Sequence, residues 1–202
     1  INDTYIIFTS DNGWIKGEHR IGYGKVAAYE ESIRVPFIVR GPGVPENVVR
    51  DEQILNIDLA PTFLELAGDY TTGTTIDGRS LLPLLTSDPA PAWRDKVLIE
   101  FLQPGSNKLS IPVFSAIRDA QHKYIEYMNP AQEKELYDLI ADPFEIDSIH
   151  ASAPATLIDS LKLELDELIA CSGASCRSAD GGLPDNSKPV AGDDSYTTDE
   201  DT

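Results

Sequence analysis

The chain has 202 residues, and its 34 acidic side chains against 16 lysines and arginines give a formal net charge of −18. Charge of that sign repels nucleic-acid phosphates and argues for no nucleic-acid partner, and no apolar run reaches the roughly 20 residues that a membrane-spanning helix needs. The length suits about one domain with a buried core, and the acidic field means that an anionic substrate must meet a locally basic patch.

The first element is the apolar run Tyr5-Ile6-Ile7-Phe8, which reads as a strand buried on both faces of a parallel sheet. Polar groups begin at its carboxyl end, the edge at which loops of open α/β sheets gather ligands. Asp11 and Asn12 stand there side by side. In an extended strand their side chains point to opposite faces, so both reach one ion only if the backbone bends, and Gly13 permits the bend. A carboxylate and an amide carbonyl are hard oxygen donors, suited to calcium or magnesium rather than zinc. An isolated Asp-Asn-Gly reads first as a β-turn. What shifts that reading is the company of His19, Arg20 and Lys25 within fourteen residues, in a stretch from 14 to 40 that is the locally basic part of the chain. A lysine is a compact point charge that meets a tetrahedral oxyanion at close range, and a metal ion and a lysine flanking one anion make a workable ester-cleavage site.

A second strand ends at Gly41-Pro42-Gly43, and Ile54 to Ile57 reads as a short extended segment. Asp58 is suited to cap a helix that carries Pro61 in its first turn, Leu59, Phe63 and Leu66 on one face, and Gly68 as its stop. A Thr- and Gly-rich loop from Tyr70 to Gly78 follows, then Arg79 to Leu85, whose leucines read as packing groups, and a proline-punctuated bend from Ser87 to Pro91. From Trp93 the pattern changes. Lys96–Phe101, Val113–Arg118, Lys123–Tyr127 and Glu135–Leu139 are short runs that alternate polar with apolar residues, as an antiparallel sheet with one buried face requires. A helix from about Pro154 to Ala170 places Leu157, Leu161, Leu165 and Leu168 on one stripe. Phe101, Phe114, Tyr124 and Tyr127 read as core, and His122 and His150 as ordinary. Cys171 and Cys176 are spaced for a tight disulfide, with two free thiols as the other reading. From about Ser178 the composition is that of an acidic linker, with seven acids against one lysine between Asp180 and Thr202.

The runs TSDNG, GEH, GK and YEESIRVPFIVRGPG, with IDLAPTFLELAG, DGRSLLPLL and ELYDLIADPFEI after them, resemble the second half of a type I sulfatase, the arylsulfatase-like branch of the alkaline-phosphatase-like superfamily. The resemblance implies an α/β fold with a small C-terminal subdomain of antiparallel sheet plus one helix. Residues 1–92 would be the C-terminal part of the catalytic domain, 93–177 the subdomain, and 178–202 a linker whose SYTTDEDT resembles the opening strand of a cadherin-like or immunoglobulin-like module. It implies hydrolysis of an aryl or carbohydrate sulfate ester, with Asp11 and Asn12 as ligands of calcium (or magnesium), Lys25 on the sulfate, and His19 on the sulfate or its attached group. Glu30, Glu31 and Arg34 match the family and are expected to orient the loop.

The nucleophile of such enzymes is a formylglycine made from a cysteine or serine in a short motif with proline and arginine, in the first part of the domain. Cys-Ser-Gly-Ala-Ser-Cys-Arg at 171–177 lacks that pattern. The chain is therefore expected to be a piece of a longer protein, inactive alone, with an extracellular or periplasmic location if the cysteines are bonded. The other readings are a phosphate or phosphonate monoester hydrolase of the same superfamily, and a remnant that binds a sulfated glycan without turning it over.

Overall fold

The computed structural model describes residues 3–68, 75–102 and 112–182. The acidic tail from 183 and part of the Thr- and Gly-rich loop lie outside them. Strand β1 (Ile6–Phe8) pairs antiparallel with β2 (Ile38–Arg40), Ile7 opposite Val39, and the short helix α1 (Glu30–Ile33) sits between them in sequence. The expectation of a parallel strand buried on both faces does not hold within this chain. Two strands alone cannot cover their own faces, and Ile6, Phe8 and Ile38 are exposed.

Leu55 is extended, but Asn56–Asp58 form a 3-10 turn that runs into helix α2 (Leu59–Leu66), and Gly68 follows with φ of 74°. Asp58 stands at the N-cap position of α2 as expected, but its own backbone is already helical and its side chain makes no capping bond to α2. Its carboxylate reaches back to the Leu55 N–H at 2.8 Å and sideways to the Arg79 N–H at 3.0 Å. Phe63 stands exposed, while Thr62 is the buried residue of α2, donating to the Asp58 carbonyl and accepting from the Leu81 N–H. Helix α3 (Leu82–Thr86) follows, with Leu81 and Leu84 buried as packing groups.

Strands β3 (Lys96–Phe101), β4 (Phe114–Asp119), β5 (His122–Tyr127) and β6 (Lys134–Asp138) form one antiparallel sheet in sequential order. Alternation divides their side chains between two faces. Ile117, Tyr124 and Leu136 pack on Leu161, Leu165 and Leu168 of helix α4 (Ala155–Ala170), at spacings of four and three. The opposite face was expected to meet solvent. Instead Phe114, Ala116, Ile125 and Tyr137 pack on Ile15, Ala27, Ala28 and Tyr29 of the polar loop after β1. The sheet is thus the wall against which that loop is shaped.

Two buried ion networks lock the arrangement. On the loop side, Arg118 and Lys123 are register partners. Lys123, fully buried, lies 2.9 Å from Glu30 Oε1 and 2.7 Å from Glu145 Oε1, while Arg118 donates to Glu30 at 2.9 Å. Glu145 also accepts the Glu30 backbone N–H at 2.7 Å. Burial pushes both carboxyls up. For Glu30 the Arg118 and Lys123 charges outweigh it and hold the group below the usual range, and for Glu145 burial prevails and leaves it raised. In the second network Arg94 makes a two-pronged contact with Asp58 at 2.5 and 2.8 Å and meets Asp180 at 3.2 Å; Asp180 also binds Arg79, and both arginines lie over the Trp93 ring. Asp180 sits at the end of helix α5 (Ala174–Ala179), beyond the Cys171–Cys176 disulfide. A residue that composition assigns to the linker is therefore a buried anchor. Among the described residues no helix is long and apolar enough to cross a membrane.

Lys123→Met would leave Glu145 buried without its cation and Glu30 with Arg118 as its remaining partner, so unfolding free energy in urea should fall by about 3–5 kcal/mol; a loss under about 1 kcal/mol would show that solvent reaches the network. A second measurement concerns Glu135, which accepts from the hydroxyls of Tyr29 and Tyr137 at 3.0 Å each and of Tyr127 at 3.4 Å. Burial, then the Glu135 charge, pushes Tyr29 up to about 12 and raises the other two in the same way. A phenol that stays protonated in the folded state contributes stability fully present below its unfolded pKa of about 10, and lost as pH rises through the folded value. Denaturant midpoints should therefore fall steeply above about pH 10, and Tyr29→Phe should reduce that slope.

Candidate active site

The loop between β1 and α1 carries the candidate residues, and its shape follows from a few backbone contacts. Gly13 donates its N–H to the Ser32 carbonyl at 2.8 Å, and a Cβ at position 13 would stand 2.1 Å from the Glu31 carbonyl oxygen. Glycine is required there for close approach of two backbones. The Ser32 hydroxyl, buried, accepts from the N–H groups of Val26 and Ala27, which fixes the return of the loop beyond Lys25. Ser32 belongs to α1, whose first residue Glu30 is held by Lys123, Arg118 and Glu145 from the subdomain. Position of the loop is thus set by residues about a hundred positions away in sequence.

This geometry brings three of the four predicted residues together. The backbone bends at Asp11, whose Oδ1 accepts the Asn12 N–H at 3.0 Å. The Lys25 ammonium donates to Asn12 Oδ1 at 2.7 Å and lies 3.7 Å from Asp11 Oδ2, so one cation already stands between the two expected metal oxygens. Asn56 donates to the Asp11 carbonyl at 2.8 Å and ties the same point to the turn before α2. Asp11, Asn12, Lys25 and Asn56 line a cleft of about 850 Å³, and Glu30 and Arg118 also line it.

His19 is placed differently. Its ring stacks on Tyr29 with centroids 3.7 Å apart and planes 8° from parallel, and Nε2 lies 3.2 Å from Glu31 Oε2. It does not line the cleft, and with positive φ at both His19 and Arg20 the turn is bent around this stack. Glu31 and Glu30 thereby acquire partners: His19 for one, Arg118 and Lys123 for the other, while Arg34 stays 3.9 Å from Glu30.

The oxygen pair suits a hard cation, and the ammonium bridging it shows that the two groups converge on positive charge. Two oxygens fall short of the six to eight that calcium takes, and no cluster of three or more His, Cys, Asp or Glu side chains forms a metal site among the described residues. By donor type Asp11 and Asn12 fit part of such a shell and no more than part of it.

Residues that sequence reasoning passed over include Lys123, Glu145 and Arg118, the loop's anchors. Lys123 and Arg118 stand at alternating positions of apolar strands, which is a readable signal of burial, whereas Glu145 lies in a turn and gives none.

Residues 17–170 match the family model described as N-sulphoglucosamine sulphohydrolase, C-terminal. The chain is 33% identical over 204 residues to N-acetylglucosamine-6-sulfatase of Bos taurus, covering 88% of this chain and 36% of that protein. It superposes with a TM-score of 0.74 and 31% identity on a solved protein in complex with its substrate D-glucosamine-2-N,6-O-disulfate, over 92% of this chain and 36% of the other. A phosphonate monoester hydrolase of Agrobacterium radiobacter superposes at 0.66 with 28% identity, over 87% and 35%. The chain thus spans about a third of the length of the relatives it matches. With the family model over most of its length, the shared fold, and the sulfatase relative at one-third identity, this chain belongs to the sulfatase family, matching its C-terminal part.

Proposed function

We propose that the protein containing this chain hydrolyses the sulfate ester of a carbohydrate to an alcohol and inorganic sulfate. The observation that carries this reading is the convergence of Asp11, Asn12 and Lys25 at one cleft, on a fold shared with a protein solved in complex with a sulfated glucosamine. Asp11 and Asn12 would hold calcium, or magnesium, which supplies Lewis-acid polarisation of the sulfate oxygens when bound. Lys25 then exchanges its contacts with Asn12 and Asp11 for sulfate oxygens, placing a fixed positive charge where negative charge builds up as the ester bond breaks. His19, held by Tyr29 and Glu31, keeps the turn in place and reaches the sulfate or its attached group only if the turn shifts. The nucleophile, a formylglycine, is proposed to lie in the other two thirds of the protein, since Cys171 and Cys176 are bonded to each other. The same disulfide supports an extracellular or periplasmic location.

Hydrolysis of a phosphate or phosphonate monoester is the second reading, favoured by the likeness to the phosphonate monoester hydrolase; a binder without turnover is the third. The full-length protein assayed on glucosamine 6-sulfate, a phosphate monoester and a phosphonate monoester separates them, turnover of the sulfate alone being the expected result. Lys25→Ala should lower kcat/KM by roughly a hundredfold, and unchanged kinetics would remove its assignment. Chelation should abolish turnover, and calorimetry should show Asp11→Ala binding calcium at least about tenfold more weakly; full activity after exhaustive chelation would sink the metal assignment.

A further inference from the structure

Between Gly13 and Val26 the loop folds back on itself as a very short ladder. Ile15 and Gly24 exchange both backbone hydrogen bonds, at 2.7 and 3.0 Å, and form an antiparallel bridge. Beside such a pair, residues 14 and 25, and residues 16 and 23, stand directly opposite one another with all four side chains on the face away from Ile15. Exposure follows that alternation: Ile15 is fully buried, whereas Trp14, Lys16, Tyr23 and Lys25 are exposed. Trp14 and Tyr23, the diagonal pair, meet edge to face with ring centroids 5.2 Å apart. They remain 43% and 72% exposed. Two large aromatic rings and two lysines therefore share one open face beside the cleft.

We propose that this face is a saccharide platform. The pyranose ring bearing the sulfate ester stacks its C–H face on Trp14 and Tyr23, while Lys25 takes the ester sulfate and Lys16 meets a second anionic group on the same saccharide. The inference rests on the sulfatase reading above and names the substrate class of that site. Charge complementarity selects the occupant. In a chain of net charge −18, a ring platform flanked by two lysines favours an anionic sugar over a neutral sugar or an acidic protein surface. Preorganisation helps too, because buried Ile15 and the Gly13–Ser32 hydrogen bond fix the ladder before the ligand arrives.

The test uses the full-length protein and compares KM for a sulfated disaccharide with the inhibition constant of inorganic sulfate, which has no ring to stack. Trp14→Ala and Tyr23→Ala are each expected to raise KM about tenfold, the size of a lost aromatic contact, with the sulfate constant kept within about twofold. Trp14→Phe, which keeps a ring, should restore KM. Lys16→Ala should raise KM for a disulfated saccharide more than for a monosulfated one. Tyr23 is exposed enough that its variant tests the platform even where Trp14→Ala fails to fold. Unchanged KM overturns the proposal, as does a sulfate constant that rises in step with KM. So does a lower melting temperature for Trp14→Ala with unchanged KM, which would mean that another part of the protein covers the face. A wild-type protein that turns over no sulfate ester would refute the proposed activity instead; the same variants would then be read by calorimetric titration with the disaccharide and with inorganic sulfate.

Discussion

The buried ammonium of Lys123, held between Glu30 and Glu145, is the contact on which the rest of this structure depends. A lysine withdrawn from water loses several kcal/mol of hydration, and the carboxylates beside it lose as much. Their attraction roughly offsets that loss, so the cluster adds little net stability when complete. Its force lies in the asymmetry, because any arrangement that separates the three leaves an unpaired buried charge. Glu30 starts α1, Lys123 sits in β5, and Glu145 follows β6. One ammonium therefore fixes where the subdomain stands relative to the polar loop.

The consequences run outward from that point. With Glu30 held, α1 presents Ser32 to the N–H groups of Val26 and Ala27 and to Gly13, which sets the positions of Lys25 on one side and Asn12 on the other. Apolar packing completes the clamp, since Ile15, Ala27, Ala28 and Tyr29 cover the sheet face opposite α4. The Arg94 cluster plays the corresponding part at the far end, joining the turn before α2 to the end of helix α5 through Asp58 and Asp180. The small subdomain is thus the support that gives the site loop its form.

Charge is distributed to the same end. The chain is strongly acidic, and four of its acids, Glu30, Glu145, Asp58 and Asp180, are held inside by Arg118, Lys123, Arg94 and Arg79. Around the loop, Lys16 and Lys25 stay at the surface. An anion approaching that face meets local positive charge at a range shorter than the screening length of about 10 Å, beyond which the global field fades.

Much of the fold was legible because it is periodic. The four strands and the long helix appear where alternation and the leucine spacing put them, with ends shifted by a residue or so. Asp11, Asn12 and Lys25 were legible as a candidate group from residue type and their closeness in sequence, and the structure brings the three together. Long-range partnership was not legible. Asp58 looked like a cap because local spacing explained it, but its carboxylate serves Arg94, 36 residues on. His19 read as a substrate contact, and its stack on Tyr29 depends on how the turn closes. Trp14 and Tyr23 became neighbours only when Ile15 met Gly24. Period and residue type are properties of the chain, and they determined the elements and the kind of chemistry. Which charge is buried against which, and which rings share a face, depends on contacts between segments distant in sequence, and only the tertiary structure decides those.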